Sequence, residues 1–357
     1  MGCKKLQNSE KNNHLSPDPE LRLTLPSEDG KPKLIVSIDV EEDFDWSAPF
    51  SSDNTKTASI EKLVLLQDIF DRYEINPVLL VDYPVADDAR SVEVRRQFTA
   101  SNNAEVAAQL HPWGNPPLEE QINQRNSFPG NLPEALERSK LTTLVRKISD
   151  SLGSTPRIYR AGRSGIGPNT ARILQELDFE IDMSVYAHRN LAGNQGPDFS
   201  DISSHPYWFG TSTPRLLEIP ITSGFYGTLG GFGKHAHQVF SKPQVRWMRG
   251  ITTLSWLNLV TQASLTPEGV PLEESKRLTR TLYSSGHRVF TLSFHSPSLE
   301  PGNTPYVRTE QDLERFLKWL SDFLAFFSDE MSGEFITTTQ LLTIANRPAV
   351  HEDKLAS

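Results

Sequence analysis

The sequence predicts a single-domain α/β protein in which parallel strands alternate with helices and close into a barrel. Short β-branched runs alternate with longer stretches of helical periodicity over most of the 357 residues. Seven or eight such units follow one another without a linker, a number that favours a closed barrel over an open sheet. Several apolar runs also end in a polar residue, as expected where strand ends form a site. We expect the domain to span residues 31–346, with a disordered polar tail at 1–30 and a second tail at 347–357.

Eight stretches have the length and composition of strands. They are Lys33–Asp39, Asn76–Val81, Ala104–His111, Arg157–Arg160, Glu180–Val185, Leu216–Thr222, His287–His295 and Phe335–Thr338. Helical patterns lie between them, in SIEKLVLLQDIFDRY, LPEALERSKLTTLVRKISDSLG, GPNTARILQELDF and RTEQDLERFLKWLSDFLAFF. In the last of these, apolar residues recur at helical spacing and predict one buried face. They are Leu313, Phe316, Leu317, Leu320, Phe323 and Leu324.

Composition and charge exclude several classes of protein. The net charge of −9 argues against a general nucleic-acid binder, which needs clustered Lys and Arg. The only cysteine is Cys3, which excludes an internal disulfide and a cysteine-based zinc site. Residues 1–20 lack the apolar core of a secretory signal, and no apolar run is long enough to span a bilayer. Gly2 and Cys3 are compatible with N-terminal lipidation, but Leu6 occupies the position where the lipidation motif has Ser or Thr. We therefore expect a soluble cytoplasmic protein without membrane insertion; its oligomeric state stays open.

The run LIVSIDVEEDFDW, from Leu34 to Trp46, begins as a buried strand and ends in five carboxylates. Polar residues also close other predicted strands, and the barrel fold would bring them to one mouth. These residues are Asp39, Asp82, His111, Arg160, Asp182, Ser184 and His295. Two imidazoles, several carboxylates and a guanidinium in one polar mouth are typical of a metal-assisted hydrolase. Each residue alone also has a structural explanation, such as a turn, a helix cap or an ion pair.

Read in order, the segments SIDVEED, AQLHPWGNPP, YRAGRSG, IDMSV and LSFHSPSLEPG resemble the polysaccharide deacetylase superfamily. This is carbohydrate esterase family 4, with its NodB-like homology domain, and the resemblance covers residues 33–345. Passages such as GPDFSDISSHPYWFG look like a divergent cytoplasmic branch linked to cell-surface polysaccharide metabolism. The resemblance implies a distorted (β/α)₇ barrel and a metal-dependent hydrolase that removes N- or O-acetyl groups from a carbohydrate.

The resemblance also implies roles for individual residues. Asp39 matches the general base, Arg160 the residue that orients it, and His295 the general acid. His111 matches the first metal-binding histidine. Asp182, in the fourth motif, would orient a catalytic histidine or pack under the site.

The metal site is where the sequence departs from the family pattern. In the family, the metal-binding Asp usually follows the base directly, but that position is Val40 in this sequence. Glu41 is therefore the expected carboxylate ligand. In a strand, the side chain of Glu41 points to the same side as that of Asp39. The second metal-binding histidine is replaced by Asn115, either a weak oxygen ligand or a turn residue before two prolines. The predicted metal set is therefore Glu41, His111 and Asn115. Zinc is the expected ion, with manganese or magnesium as alternatives, and Asp82 is a further hard oxygen ligand.

Trp46 and Trp113 are candidate sugar-binding platforms, or else core residues. Glu42, Asp43 and Asp45 are expected on the loop surface. Two other functions remain open: hydrolysis of a non-peptide C–N bond in a small amide or ureide, and a non-catalytic barrel that binds sugar.

Overall fold

The structure is a computed structural model that describes residues 21–23, 30–210, 213–227 and 261–346. The predicted tails lie outside the described residues, except for residues 21–23 and 30, so their disorder stays a prediction. Within the described part of the chain, no helix combines the length and the apolar character that a bilayer crossing requires.

Eleven strands are described. They are β1 (Lys33–Val40), β2 (Val78–Val81), β3 (Glu105–Leu110), β4 (Ile158–Ala161), β5 (Ile181–Asp182), β6 (Tyr207–Phe209), β7 (Leu216–Glu218), β8 (Ser223–Tyr226), β9 (Thr261–Ser264), β10 (Val289–His295) and β11 (Glu334–Phe335). The α-helices are α1 (Gln67–Arg72), α2 (Tyr83–Asp87), α3 (Ala89–Asn102), α4 (Glu134–Leu152), α5 (Thr170–Glu176), α6 (Leu272–Ser284), α7 (Glu310–Ala325) and α8 (Thr338–Ala345). Short 3₁₀ turns follow several strands, at Pro112–Gly114 after β3, Gly162–Ser164 after β4 and Ser296–Leu299 after β10. Further 3₁₀ turns are Ala58–Leu66, Pro129–Asn131 and Ala192–Asn194, and Phe326–Glu330 is a π-helical turn.

The main sheet confirms the predicted α/β barrel architecture. Its strands run in the order β10-β1-β2-β3-β4-β5-β7-β6, with β11 paired to the start of β1. All of these pairs are parallel except β6 with β7. Because the strands are parallel, their carboxyl ends lie on one side of the sheet, and Asp39 in β1 is the register partner of His295 in β10.

The barrel is distorted where β10 meets the far side of the sheet. A two-stranded antiparallel ribbon, β8–β9, lies there, and Leu265, just after β9, accepts a hydrogen bond from the Ser293 backbone N–H at 3.1 Å. The ribbon and β6 are not among the predicted strands, since β6 is short and β9 is polar. The predicted strand Leu216–Thr222 ends at Glu218, close before Pro220, which has no N–H to donate to a ladder.

Side-chain alternation along β1 separates the core from the site. Leu34, Val36, Ile38 and Val40 are buried in the main apolar cluster, together with residues of the surrounding helices. Asp39 and Glu41 have the opposite orientation and line a cavity at the carboxyl end of the sheet. The predicted apolar face of α7 is also confirmed, with Leu313, Phe316, Leu320, Phe323 and Leu324 buried.

Candidate active site

A cavity of about 610 Å³ lies at the carboxyl ends of the parallel strands. Charged and polar side chains from four strands or their ends form its floor: Asp39, Glu41, Gln109, His111, Arg160, Ser293 and His295. Aromatic side chains form part of its wall: Phe44, Trp46, Phe50, Trp113, Phe128, Tyr186 and Tyr306. The structure therefore brings together Asp39, His111, Arg160 and His295, predicted from the strand ends, and Glu41, predicted from the resemblance.

Asp39 is held between Arg160 and Gln109. Arg160 Nη1 donates to Asp39 Oδ1 and, at 2.9 Å, to Ser293 Oγ, while Nη2 donates to Ser37 Oγ at 3.2 Å. Gln109 Nε2 donates to Asp39 Oδ2 at 2.8 Å. Both charged side chains are almost fully buried, so the guanidinium supplies the counter-charge that a buried carboxylate requires. This contact fixes the orientation of the Asp39 carboxylate relative to the cavity.

His295 faces Asp39 and is oriented by Glu268. Its Nε2 lies 3.7 Å from Asp39 Oδ2, and its Nδ1 lies 2.7 Å from Glu268 Oε2. Glu268 Oε1 also accepts the His295 backbone N–H at 3.1 Å. Burial alone would lower the pKa of His295, but the carboxylates of Glu268, Glu41 and Asp39 outweigh it and raise that pKa to about 10.

Sequence reasoning missed Glu268. It follows the unpredicted strand β9, in a short polar segment that resembles a surface turn. The only signal available was an acidic residue beside Gly269, which is a weak one. The role of orienting the histidine, which the resemblance gave to Asp182, is occupied in the structure by Glu268.

Asp182 lies beneath the cavity instead of in its lining. It is fully buried in β5, where its Oδ1 accepts hydrogen bonds from the Ser184 backbone N–H at 3.1 Å and from the Ser184 hydroxyl. The Ser184 hydroxyl in turn accepts the Ala161 backbone N–H at 2.7 Å, at the end of β4. Of the two roles expected for Asp182, the structure agrees with packing under the site.

His111 is held with one ring nitrogen turned toward Glu41. Its Nε2 lies 3.5 Å from Glu41 Oε2, and its Nδ1 lies 2.9 Å from Glu42 Oε2. Trp113 Nε1 donates to Glu42 Oε1 at 2.6 Å, and the Trp113 ring stacks on the imidazole at a centroid distance of 4.4 Å. A carboxylate on the remote nitrogen is the usual support of a metal-binding histidine.

The expectation that Glu42 lies on the loop surface is wrong. Its side chain is fully buried, because it accepts hydrogen bonds from Trp113 and contacts His111, while its backbone N–H donates to Asp82 Oδ2 at 2.8 Å. Asp45 is exposed, as expected, and Asp43 is partly buried. Asp82 is fully buried, and its Oδ2 lies 3.8 Å from His111 Nδ1, so it belongs to the support of His111 and not to the cavity lining.

Asn115 lies apart from the other two residues of the predicted metal set, which line the cavity. Its Nδ2 donates to the Pro116 carbonyl at 2.7 Å and to the Lys140 carbonyl at 2.9 Å, and the residue is absent from the cavity lining. The buried ammonium of Lys140 accounts for this arrangement, because it donates to the carbonyl oxygens of Pro112 and Asn115 at 2.9 and 2.6 Å. The structure therefore agrees with the alternative that Asn115 shapes the turn after His111.

The two tryptophans occupy different environments. Trp46 lies edge-on to His295 at 4.8 Å and to Tyr306 at 5.8 Å, and it is only partly buried in the cavity wall. Trp113 is 1% exposed and supports Glu42 and His111. Trp46 lines the cavity, and its role as a sugar-binding platform stays a prediction, whereas Trp113 packs mainly against the imidazole of His111.

Of the predicted metal set, Glu41 and His111 line the cavity with a spacing that would suit two ligands of one divalent cation. Two ligand atoms about 2.1 Å from a tetrahedral zinc ion are about 3.4 Å apart, and Glu41 Oε2 and His111 Nε2 are separated by 3.5 Å. Burial, reinforced by Glu42 and Asp39, raises the pKa of Glu41 to about 8 despite the nearby imidazoles. A cation offsets the cost of burying this carboxylate. Ligand atoms of Asp39, Glu41 and His295 also lie within 4.8 Å of one another.

Comparison with solved structures identifies the fold. A protein from Mycobacterium smegmatis, assigned as a polysaccharide deacetylase, superposes with a TM-score of 0.51 over 90% of this chain and 93% of its own, at 15% sequence identity. The chain has the polysaccharide deacetylase fold. This confirms the fold inferred from the resemblance.

Two further solved structures superpose with lower TM-scores. A protein from Pseudomonas aeruginosa PAO1 that is assigned as a polysaccharide deacetylase has a TM-score of 0.48 at 18% identity, with 88% of this chain and 89% of that chain covered. Puue allantoinase has a TM-score of 0.49 at 17% identity, with 93% and 94% covered. No protein-family model and no curated protein matches the chain.

Proposed function

We propose that the chain is a hydrolase that removes an acetyl group from a carbohydrate, with Asp39 as general base and His295 as general acid. One observation carries this proposal. Asp39 and His295 face each other at 3.7 Å in one cavity, and each is held by a partner of opposite charge, Arg160 and Glu268. A base and an acid at such a distance can serve the two proton transfers that hydrolysis of an amide or ester needs.

Each residue has a defined part in the reaction. Arg160 orients the Asp39 carboxylate, so that its free lone pairs accept a proton from the attacking water. His295 Nδ1 is occupied by Glu268, which leaves Nε2 to protonate the leaving amine or alcohol. A high pKa keeps that imidazole protonated at neutral pH, the form that a general acid requires.

The metal would be held by Glu41 and His111, with Glu42 orienting the imidazole through Nδ1. When bound, such an ion supplies Lewis-acid polarisation of the substrate carbonyl. Zinc is the ion proposed, because one imidazole and one carboxylate are common zinc ligands. A cytoplasmic location and the domain limits at residues 31 and 346 stay predictions.

The cavity wall supports a carbohydrate substrate. Trp46, Phe44, Phe50 and Tyr306 present aromatic surface beside the polar floor. Flat aromatic rings with a few convergent polar groups form a site that takes the apolar face of a sugar and orients its hydroxyls. The volume of about 610 Å³ is within the range of small-ligand pockets, about 300–1,000 Å³.

The test is an acetate-release assay on N-acetylated glucosamine oligosaccharides and O-acetylated xylose oligosaccharides, with and without added zinc. Asp39→Asn should reduce turnover about 100-fold or more, because an amide cannot accept the proton. Asp45→Asn is the matched control, since Asp45 belongs to the same acidic run but is exposed. Equal rates in the two variants would remove Asp39 from the role of base.

Two added measurements, turnover of a ureide and binding of oligosaccharide, separate the other candidate functions. Turnover of allantoin or another ureide without acetate release would favour hydrolysis of a non-peptide C–N bond. Binding of oligosaccharide with no turnover at any zinc concentration would favour the non-catalytic barrel. The turned-away Asn115 is the observation that keeps this last function under test.

A further inference from the structure

Arg163 lies on the turn that directly follows β4, three residues beyond Arg160. This turn has unusual backbone geometry, because Arg163 and Ser164 are both left-handed, with φ of 57° and 56°. Side chains with a Cβ rarely adopt this conformation, because it is energetically unfavourable. It places the Arg163 side chain in the lining of the cavity.

The guanidinium of Arg163 is held in place by two aromatic rings and a serine hydroxyl. It lies over the ring of Phe128 at 4.1 Å and over that of Phe50 at 4.9 Å. Its Nη1 donates to Ser127 Oγ, and the Ser127 hydroxyl donates in turn to the Gln124 carbonyl at 2.8 Å. Aromatic contacts on its faces leave the edge of the guanidinium, with its remaining N–H donors, for a ligand in the cavity.

This cation has no acidic partner among the residues that the structure describes. No carboxylate forms an ion pair with Arg163 there, and burial, with no charged neighbour, is what lowers its pKa. Arg160, in contrast, is neutralised by Asp39. A half-buried cation without a counter-charge is costly unless a ligand supplies one.

The acids of the cavity are already engaged elsewhere. Asp39 is paired with Arg160, Glu268 with His295, and Glu41 faces His111. An anionic group at the Arg163 edge would therefore meet an uncompensated positive charge, while the negative charges of the floor have their own partners.

We infer that Arg163 binds an oxyanion substituent of the carbohydrate, a carboxylate or a phosphate, and so selects an acidic saccharide. The inference rests on the proposed function for its placement of the sugar in this cavity. A planar guanidinium donates two parallel hydrogen bonds to either group, and a carboxylate or phosphate restores the missing charge balance.

The test is calorimetric titration of zinc-loaded protein with three matched probes: methyl β-glucoside, methyl β-glucuronoside and methyl β-glucoside 6-phosphate. At least one of the two acidic probes should bind about tenfold more tightly than the neutral probe, or tighter still, as expected for a charge-assisted pair of hydrogen bonds. The carboxylate and phosphate probes show which oxyanion is preferred. Arg163→Met should abolish the preference, since the thioether has no donor and no charge.

Arg125→Met is the matched control, because Arg125 is exposed in the same segment as Ser127 and its loss changes the net charge equally. This variant should keep the preference. Thermal unfolding checks that both variants fold. If Arg163→Met does not fold, Arg163→Lys replaces it, because lysine keeps the charge without the planar guanidinium. Replacement by lysine should lower the preference several-fold.

Equal affinity for all three probes, no binding of any, or a preference that survives in Arg163→Met would overturn the inference. The titration measures binding and not turnover, so it fails independently of the proposed function. Acetate release from neutral sugars with no acidic preference would refute only the role of Arg163. An acidic preference without hydrolysis of any substrate would refute only the hydrolase.

Discussion

The contact between Glu268 and His295 makes the acid of the site testable without knowledge of the substrate. In Glu268→Gln, the amide keeps the size of the side chain but removes the negative charge 2.7 Å from His295 Nδ1. Glu268 is the largest of the influences that raise the pKa of His295, ahead of Glu41 and Asp39. The pKa of His295 should therefore fall in this variant.

The size of the fall follows from the local arrangement. A close opposite charge shifts a pKa by about 1–3 pH units, and the two other carboxylates stay in place. We expect a decrease of about 2 pH units from the value of about 10. Protonation favours the folded state here, so the stabilisation by His295 is present at low pH and is lost as pH rises through this pKa. In the variant this loss should be smaller and should be complete at lower pH.

The assay is carbon-detected histidine NMR on metal-free protein, with the His295 signal identified from its absence in His295→Gln. Glu300→Gln is the control, since it removes an acid that does not act on His295. In turnover assays, the alkaline limb of the pH profile should move to lower pH in Glu268→Gln alone. An unchanged pKa, with a merely lower rate at all pH values, would show that Glu268 is structural.

Two further predictions concern packing and buried charge. In Gly162→Ala, the new Cβ would lie 2.5 Å from His111 Cδ2 and from the Leu110 carbonyl oxygen. The free energy of unfolding should therefore fall by about 1–3 kcal/mol, and zinc binding measured by calorimetry should weaken. Gly193→Ala is the control, because a Cβ there meets open space and should change neither quantity. Burial raises the pKa of Glu137 to about 7, so its contribution to stability falls as pH rises from about 4.5 to 7. The free energy of unfolding of Glu137→Gln, measured in urea and relative to wild type, should therefore be up to about 3 kcal/mol greater at pH 8 than at pH 5. An equal difference from wild type at both pH values would contradict this.

Strand ends were the part of the site that the sequence could predict. Asp39, Arg160 and His295 each close an apolar run, and parallel pairing brings such ends together whatever the details of the loops. The fold class is predictable for the same reason, because periodicity and the alternation of strands with helices are properties of local segments.

Side chains beyond the strand ends could not be placed in this way. Glu42 is buried because Trp113 and His111 need its carboxylate, and Asn115 is turned away because the Lys140 carbonyl accepts its amide. Glu268 reaches His295 from the segment after β9, where the Leu265 carbonyl accepts the backbone N–H of Ser293 in β10. These positions depend on partners distant in sequence, which no local pattern records.

Asp39 and His295, the proposed base and acid, lie on strands from opposite ends of the described chain, and these two strands pair residue by residue. Glu41, one residue past β1, donates its backbone N–H to Ser296 across 255 residues. In a chain still bound to the ribosome, β1 would therefore lack its β10 partner until His295 has left the exit tunnel, although Arg160 and His111 are made earlier. Such distant pairing is slow to form. Catalytic competence should thus appear late and abruptly during synthesis, and fragments that stop short of β10 should have none.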